Sequence, residues 1–228
     1  MLILTIVINN SSFQNAWALA IKQLMDHGFN QPADDERRVI IKNEDMVINM
    51  DYQAIQDIAK HKLHPAAPLV DGLDEYIQQF NPASEQAHKS ILEQPYTYLE
   101  RTWKQLKFIR ENHLLQKPFN KRIRVTTWRP FEDLGEVDVP CAQSLAFRNI
   151  GDGRVHLFTH WRSHDMYGAW QWNNIAIYEY VNKELLEPEG LRLTKWTEYN
   201  ESAHIYDYDW AAAKRVLPLP EVALHMMY

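Results

Sequence analysis

The amino-acid sequence predicts an α+β fold, with a mixed or antiparallel sheet and helices packed on one face. Several stretches carry apolar residues at helical spacing, and the stretches between them are β-branched or alternate apolar with polar residues. The turn Gly151-Asp152-Gly153 joins two extended stretches and predicts an antiparallel hairpin. The 228 residues suffice for one core and contain no repeat or low-complexity tract, so we expect a single domain over 1–228.

The first part of the chain predicts strands around one amphipathic helix. Residues 2–8 are β-branched and predict a strand. Ser11 or Ser12 can cap a helix that ends at Gly28. The apolar positions on one face of this helix are Phe13, Trp17, Ile21, Leu24 and Met25. Two short strands and a loop are then expected at 38–41, 46–50 and 60–70.

The rest of the chain mixes helices with extended stretches. Apolar spacing predicts helices over 73–80, 98–115, 166–182 and 210–217. Pro118 stops the second of these, because proline cannot continue a helix. Strands are predicted over 122–128, 142–150, 154–161, 191–198 and 203–206.

The charge balance disfavours several classes of protein. The chain has 24 Lys and Arg against 30 Asp and Glu, a net charge of −6, which does not suggest a general binder of nucleic acid or membrane surfaces. The apolar start lacks the basic segment and cleavage site of a signal peptide. No run reaches the ~18 apolar residues of a transmembrane helix. We therefore expect a soluble, cytoplasmic protein.

The single cysteine, Cys141, excludes an internal disulfide. Its side chain either only packs in the core or has a chemical role as a thiol. Only 7 glycines are present, and no GxGxxG or Walker-type sequence occurs, so a glycine loop for phosphate is not expected. The 8 tryptophans and 11 tyrosines either fill the core or line a pocket for a planar ligand.

A few polar side chains stand in otherwise apolar, aromatic surroundings. Arg162 can stabilise the thiolate of Cys141 and can also hold a phosphate through its fork of donors. The amide of Asn173, within a predicted buried helix, needs polar partners that a pyrimidine edge would supply. His204 and Tyr206 lie two apart on a strand, point to the same face and could hold a sugar hydroxyl.

Each of these features also has a purely structural interpretation. A lone cysteine in a strand is often buried and inert, and Arg-Ser-x-Asp before a helix often provides a cap and a surface ion pair. A His-x-Tyr pair often does no more than pack at a sheet edge. It is the order and spacing of the features that favour a functional interpretation.

As an ordered set, these residues resemble the thymidylate synthase family. The family's pattern is a Pro-Cys nucleophile, an Arg-Ser-x-Asp, an Asn eight residues after the Asp, and a His-x-Tyr. The matching residues here are Pro140-Cys141, Arg162-Ser163-His164-Asp165, Asn173 and His204-Ile205-Tyr206. Upstream, residues 120–125 resemble the family's Ser-Arg-Arg strand, and Trp128 and Tyr98 also match. The resemblance covers roughly residues 92–210, and the chain is more similar to the archaeal or viral branch of the family than to the bacterial one.

The resemblance implies covalent chemistry on dUMP, with Cys141 adding to C6 of the pyrimidine so that C5 becomes nucleophilic. Arg162 and Ser163 would bind the 5′-phosphate, and Arg162 would help to keep the thiol ionised. Lys121 and Arg122 would reach a phosphate across the interface of a homodimer.

The remaining roles concern the base, the sugar and the one-carbon donor. Asn173 would read the O4/N3–H edge of uracil, and His204 and Tyr206 would hold the ribose 3′-hydroxyl. Asp165 would contact the pterin of 5,10-methylenetetrahydrofolate, or of a methanopterin analogue. Tyr98 would help to organise the water that removes the C5 proton.

Two further expectations concern proton transfer and metals. The family also uses a glutamate for proton transfer through water, and Glu44, just before the strand 46–50, is our candidate. The 10 histidines are scattered and lack companion ligands at metal spacing, so we expect no metal.

Several positions depart from the family's pattern. The residue after the nucleophile is Ala142 instead of His, the usual Gln is Ala146, and the usual Gly before the Asn-bearing helix is Ala169. The family's C-terminal tail, which closes over the folate, is not recognisable in 221–228. Three hypotheses therefore stand: a thymidylate synthase that gives dTMP, a relative that gives 5-hydroxymethyl-dUMP, and a nucleotide-binding homologue without catalysis.

Overall fold

The computed structural model describes residues 5–33, 39–68, 73–78, 80, 96–136 and 138–220. The start of the predicted strand 2–8, residue 38 of the strand 38–41 and the tail 221–228 lie outside these residues.

The described residues form one eight-stranded mixed sheet. Its strands are β1 (Ile6–Asn10), β2 (Phe29–Pro32), β3 (Ile40–Met50), β4 (Arg124–Thr126), β5 (Ala142–Gly151), β6 (Arg154–Trp161), β7 (His164–Asp165) and β8 (Arg192–Tyr206). The main path runs β1-β3-β8-β6-β5-β4, with β2 also paired to β3 and β7 also paired to β8. Strands β1 and β3 pair parallel, as do β6 and β8, while β3–β8, β5–β6 and β4–β5 are antiparallel.

Seven α-helices occur in the described residues. They are α1 (Phe13–His27), α2 (Tyr52–Ala59), α3 (Leu73–Gln78), α4 (Tyr98–Glu111), α5 (Pro130–Asp133), α6 (Trp170–Val181) and α7 (Trp210–Ala213). Ser12 caps α1 by accepting from the Asn15 N–H, as one of the two alternatives from the sequence requires. The predicted α+β class is therefore confirmed.

The core lies between one face of the sheet and the helices. Along a row of paired residues, Ile48 of β3, Glu198 of β8 and Thr159 of β6 are all buried. The next row on the opposite face contains Val7 of β1 and Tyr199 of β8, which are 57% and 45% exposed. The alternation along the strands therefore separates a helix-covered face from one that the described residues leave uncovered.

Two strands proved longer than the sequence predicts. Residues 40–41 and 46–50 of the two predicted strands belong to the single strand β3, in which Asn43 and Glu44 are buried. Its pairing with β8 continues through the polar stretch, with a register shift between Glu44 and Met46. Residues 192–198 and 203–206 of the next two predicted strands likewise join in β8, because β3 pairs with β8 from Trp196 to Tyr206. The polar residues between the predicted strands suggested loops there. In the structure, pairing with neighbouring strands keeps these residues extended.

Other bounds also differ from the predictions. The strand predicted over 122–128 is reduced to β4, and the helix predicted over 166–182 begins only at Trp170, after the short strand β7. Strand β2 and helix α2 were missed. Helix α2 carries a recognisable start, since the Asp51 carboxylate accepts from the N–H groups of Gln53 and Ala54.

Helix α1 is tied directly to the loop that follows β7. The indole N–H of Trp17, a fully buried residue, donates to the carbonyl of Met166 over 2.6 Å. The Met166 N–H in turn donates to the carbonyl of His204 in β8 over 2.9 Å. This chain of bonds fixes the segment 164–168 between helix and sheet.

The Trp17 bond can be tested by comparing two tryptophan-to-phenylalanine changes. Trp17→Phe leaves a buried carbonyl without its donor, whereas Trp172 is also buried but its indole N–H has no hydrogen-bond partner among the described residues. W17F should therefore lower the free energy of unfolding by about 1–3 kcal/mol more than W172F, as measured by urea denaturation. Equal losses for the two variants would contradict this account.

Candidate active site

The hairpin of β5 and β6 brings Cys141 and Arg162 together. Cys141 immediately precedes β5 and Arg162 immediately follows β6, and the two strands pair antiparallel with Ala142 opposite Trp161. The Arg162 N–H donates to the Cys141 carbonyl over 2.9 Å. Residues 21 positions apart in the sequence therefore lie side by side at one end of the hairpin.

The guanidinium of Arg162 is held in place against the thiol. Its Nη2 lies 3.8 Å from Sγ of Cys141 and donates to the carbonyl of Val139 over 2.8 Å. Its Nε donates to the carbonyl of Pro140 over 3.2 Å. The segment before the nucleophile thus fixes a positive charge beside the sulfur.

Opposing influences act on the ionisation of Cys141. Burial raises the pKa of the thiol, the Arg162 guanidinium lowers it, and the carboxylate of Asp138 raises it, with a net shift upward. The half-buried thiol is therefore mainly protonated at neutral pH in the free protein, and Arg162 limits the penalty of forming the thiolate.

Tyr98, the first residue of α4, anchors the nucleophile's backbone. Its hydroxyl oxygen accepts from the N–H groups of Cys141 and Ala142 over 3.1 and 3.2 Å. Burial, and to a smaller extent the proximity of Cys141, hold the pKa of Tyr98 well above its usual range. The phenol therefore keeps its own proton, which it can donate to another group in the site.

A small apolar pocket adjoins these residues. It is lined by Phe80, Tyr98, Thr102, Thr127, Ala142, Leu145, Trp161, Asn173, Ile177 and Tyr180. Asn173 of α6 supplies its amide, whose Oδ1 accepts from the Tyr76 hydroxyl. The Nδ2 atom of the same amide lies 3.0 Å from Nε2 of His164.

His164 and two side chains of β8 are functional candidates that sequence reasoning missed. The imidazole Nδ1 lies 3.2 Å from Oε1 of Glu198 and 3.0 Å from Oδ1 of Asn200. All three residues are buried, with His164 at 2% and Glu198 at 0% exposure. A signal was present, because Trp196, Glu198 and Asn200 alternate on one strand face and the large apolar Trp196 indicates that this face is inward.

Asp165 and His204 meet where β7 pairs with β8. Oδ1 of Asp165 accepts from the N–H groups of Tyr167 and Gly168 over 3.1 and 3.0 Å, so the carboxylate starts the turn into α6. His204 is the β8 partner of Asp165 and lies edge-on to Tyr206, with ring centroids 5.0 Å apart. Burial lowers the pKa of His204, which keeps the imidazole neutral near pH 7.

Comparison with known proteins agrees with this geometry. A family model described as thymidylate synthase matches residues 74–225. The chain belongs to the thymidylate synthase family. The resemblance predicted from the Cys, Arg, Asn and His-x-Tyr pattern is thus confirmed.

Similar proteins come from archaea, and their names assign them provisionally to thymidylate synthase. A protein of Methanosarcina barkeri is 29% identical over 222 residues, which are 92% of this chain and 94% of that protein. One of Methanosarcina mazei is 28% identical over 219 residues, with the same coverage. One of Methanothermobacter thermautotrophicus is 35% identical over 98 residues, 43% of each chain.

Some residues that the family pattern suggests lie apart from this cluster. Glu44 is buried in β3 opposite Ala203, and its described hydrogen bond is to the Asp45 N–H. Burial raises the pKa of Glu44. Lys121 and Arg122 are exposed before β4, and no described contact joins either side chain to Cys141. Their assigned roles remain predictions.

The described residues contain neither a cluster of metal ligands nor a membrane-spanning helix. Within the described ranges, no group of three or more His, Cys, Asp and Glu side chains is arranged to hold a metal ion. In the same part of the chain, no helix combines the length and apolar character needed to cross a membrane.

The influence of Arg162 on the thiol can be measured directly, because Cys141 is the single cysteine in the sequence. Iodoacetamide reacts with the thiolate, so the alkylation rate follows the thiol's ionisation. Arg162→Met removes the group that lowers the pKa of Cys141. The pH midpoint of alkylation, followed by mass spectrometry, should therefore move upward.

A matched control is Arg148→Met. Arg148 lies on β5 like the residues after the nucleophile, but its guanidinium stacks over Phe158 at 5.3 Å. R148M should keep the native midpoint. An unchanged or lower midpoint in R162M would show that Arg162 does not stabilise the thiolate.

Proposed function

We propose that this protein is a thymidylate synthase that transfers a one-carbon unit from 5,10-methylenetetrahydrofolate, or a methanopterin analogue, to C5 of dUMP. The observation that carries the proposal is the fixed Arg162 guanidinium 3.8 Å from the Cys141 sulfur, beside a pocket that contains the Asn173 amide. Family membership supports the same chemistry.

The reaction begins with loss of the Cys141 proton and attack of the thiolate on C6 of uracil. A bond forms between Sγ and C6, and the C5–C6 π electrons move toward C5 and O4, so that C5 becomes a nucleophile. C5 then bonds to the one-carbon unit and loses its proton to a base. The bond between the one-carbon unit and the nitrogen of its donor then breaks, and the nitrogen keeps the electron pair. A hydride from the reduced donor, or a hydroxide from water, adds to the resulting exocyclic methylene carbon. The electron pair that this addition displaces expels Sγ from C6, which restores the C5–C6 double bond and returns Cys141 as its thiolate.

Arg162 has donors left for the nucleotide phosphate. Nε and Nη2 serve the carbonyls of Pro140 and Val139, while Nη1 takes part in no described hydrogen bond. One side chain can therefore contact the phosphate through Nη1 and the thiolate through Nη2. Ser163, the half-buried neighbour, adds a hydroxyl donor.

The base and the sugar would be held from the other side. Asn173 pairs with the O4/N3–H edge of uracil, and His204 and Tyr206 bind the 3′-hydroxyl from their shared position on β8. Tyr98 carries a phenol proton that can orient a water toward C5. Each of these side chains offers hydrogen-bond donors or acceptors that match the part of dUMP proposed for it.

The surroundings of the Asp165 carboxylate support its proposed role in binding the pterin. Its Oδ1 is satisfied by two backbone N–H groups, and Oδ2 lies so close to Gly168 that an added Cβ would come within 2.5 Å of it. Glycine thus leaves this oxygen accessible to N–H donors of a pterin ring. When bound, the reduced folate supplies the one-carbon unit.

The first test follows loss of tritium from C5 of labelled dUMP in the presence of methylenetetrahydrofolate. The native protein should release tritium and Cys141→Ser should reduce release by about 10⁴-fold, since serine is not ionised near pH 7. Mass spectrometry of the nucleotide then separates methyl from hydroxymethyl product. A rise in dihydrofolate absorbance accompanies only the methyl product, and hydroxymethyl-dUMP would identify a hydroxymethylase.

The control for this test is Ser11→Ala, which changes an exposed hydroxyl bonded to Asp51 and lies outside the proposed site. It should leave tritium release unchanged. Nucleotide binding without any tritium release by the native chain would indicate the third hypothesis, a homologue that binds but does not react.

The proposal includes a homodimer assembled through the uncovered sheet face. Val7, Val47 and Tyr199 form one row across β1, β3 and β8, with Val7 and Tyr199 well exposed. Lys121 and Arg122 stand exposed before β4, at the edge of the same sheet. The family resemblance assigns to these two cations a phosphate bound by the partner protomer, and this is why the proposal includes a homodimer.

Mixing two inactive variants tests whether the cations act between protomers. One variant is C141S, and the other carries Lys121→Ala and Arg122→Ala. A mixed dimer has one complete site, so random exchange should restore about a quarter of native tritium release. Mixed dimers that form without any recovery would show that the cations do not complete the partner's site.

A further inference from the structure

The amide of Asn173 cannot by itself distinguish uracil from cytosine. An amide edge presents one N–H and one C=O, and rotation by half a turn exchanges them. One orientation matches the O4 acceptor and N3–H donor of uracil, and the other matches the N4 donor and N3 acceptor of cytosine. Selection between the two bases therefore requires a partner that fixes the amide orientation.

Among the described residues, two side chains hydrogen-bond this amide, and of these two only His164 can define its orientation. The Tyr76 hydroxyl lies against Oδ1, but a hydroxyl can donate or accept and tolerates either orientation. His164 Nε2 lies 3.0 Å from Nδ2. A neutral imidazole has one donor and one acceptor nitrogen, so its tautomer decides which amide atom it can face.

Glu198 determines that tautomer. Oε1 of this carboxylate lies 3.2 Å from His164 Nδ1 and accepts from the Trp170 indole over 2.7 Å. A fully buried carboxylate requires donors, and these two are its donors among the described contacts. Nδ1 must therefore carry the proton, which Asn200 Oδ1 also accepts at 3.0 Å, and Nε2 is left as an acceptor for the Asn173 N–H.

The same contacts hold these groups rigidly. The His164 ring stacks on Trp161 with centroids 3.7 Å apart and planes 15° apart. Trp170, the second donor to Glu198, begins the helix α6 that carries Asn173. Glu198 thus ties both the imidazole and the helix to β8, and the amide has no freedom to turn while Nε2 accepts.

We propose that His164 and Glu198 are positioning residues that lock the Asn173 amide in one orientation and so make the site select uracil over cytosine nucleotides. This inference rests on the proposed function, because it names what gives that site its base specificity.

The test compares dUMP with dCMP, both as ligands in calorimetry and as substrates. The native protein should prefer dUMP by at least about 100-fold in kcat/KM. His164→Phe keeps the stacking on Trp161 but removes both ring nitrogens, so the amide can turn. The preference should fall by about tenfold or more, mainly through tighter binding of dCMP.

Loss of His164 also leaves a buried carboxylate short of one donor, and this can impair folding. The double variant His164→Phe, Glu198→Gln removes the unpaired charge and should fold while losing the same preference. His64→Phe is the matched control, since His64 is a buried imidazole against another indole, that of Trp17 at 5.1 Å. It should keep the native preference.

The outcomes separate the two proposals. The proposal that His164 fixes the Asn173 amide would be overturned if folded His164 variants bind dUMP and still reject dCMP as the native protein does. A native protein that binds neither nucleotide would overturn the proposed function, and the lock with it. Independently of any variant, ¹⁵N NMR of the native protein should show His164 Nε2 unprotonated, and a protonated Nε2 would also refute the lock.

Discussion

The site depends on how the chain pairs with β8 after leaving β6. Trp161 pairs with Asn200 and His164 pairs with Ala203, so the register is the same before and after residues 162–163. Strands β6 and β7 are therefore one line of pairing interrupted for two residues. Because residues 162–163 do not pair with β8, the Arg162 side chain can lie against Cys141. Pairing with β8 resumes at His164, whose side chain is buried. A shift of one residue in this register would exchange the two faces.

The site combines a polar interior with an apolar frame. Glu198, Asn200 and His164 lie in a core of large side chains that includes Trp161, Trp170 and Trp196. Burying a carboxylate in such surroundings is unfavourable unless donors are supplied, and replacing the group with an apolar one is often neutral or stabilising for the fold. The arrangement is better explained by orientation of a functional amide than by stability.

The sequence predicted the fold class and most of the site because the relevant signals are local or ordered along the chain. Pro140-Cys141 precedes a recognisable strand and Arg162 follows the next one, so a hairpin could be expected to bring them together, while Asn173 lies within the recognisable helix that comes after them. Glu198 was not predicted, because its role depends on pairing between β8 and β6–β7, which spacing does not reveal. Polar stretches such as Asn43–Asp45 were interpreted as breaks for the same reason.

The ionisation of Cys141 depends on the fixed Arg162 guanidinium beside its sulfur. Burial favours the neutral thiol, and the adjacent Arg162 only partly offsets it, so most of the free protein holds a thiol of low reactivity. The anchored guanidinium nevertheless stays 3.8 Å from the sulfur, and it stabilises negative charge there when the proton leaves. Because carbonyls of the preceding segment hold Arg162, this stabilisation requires no rearrangement during the reaction.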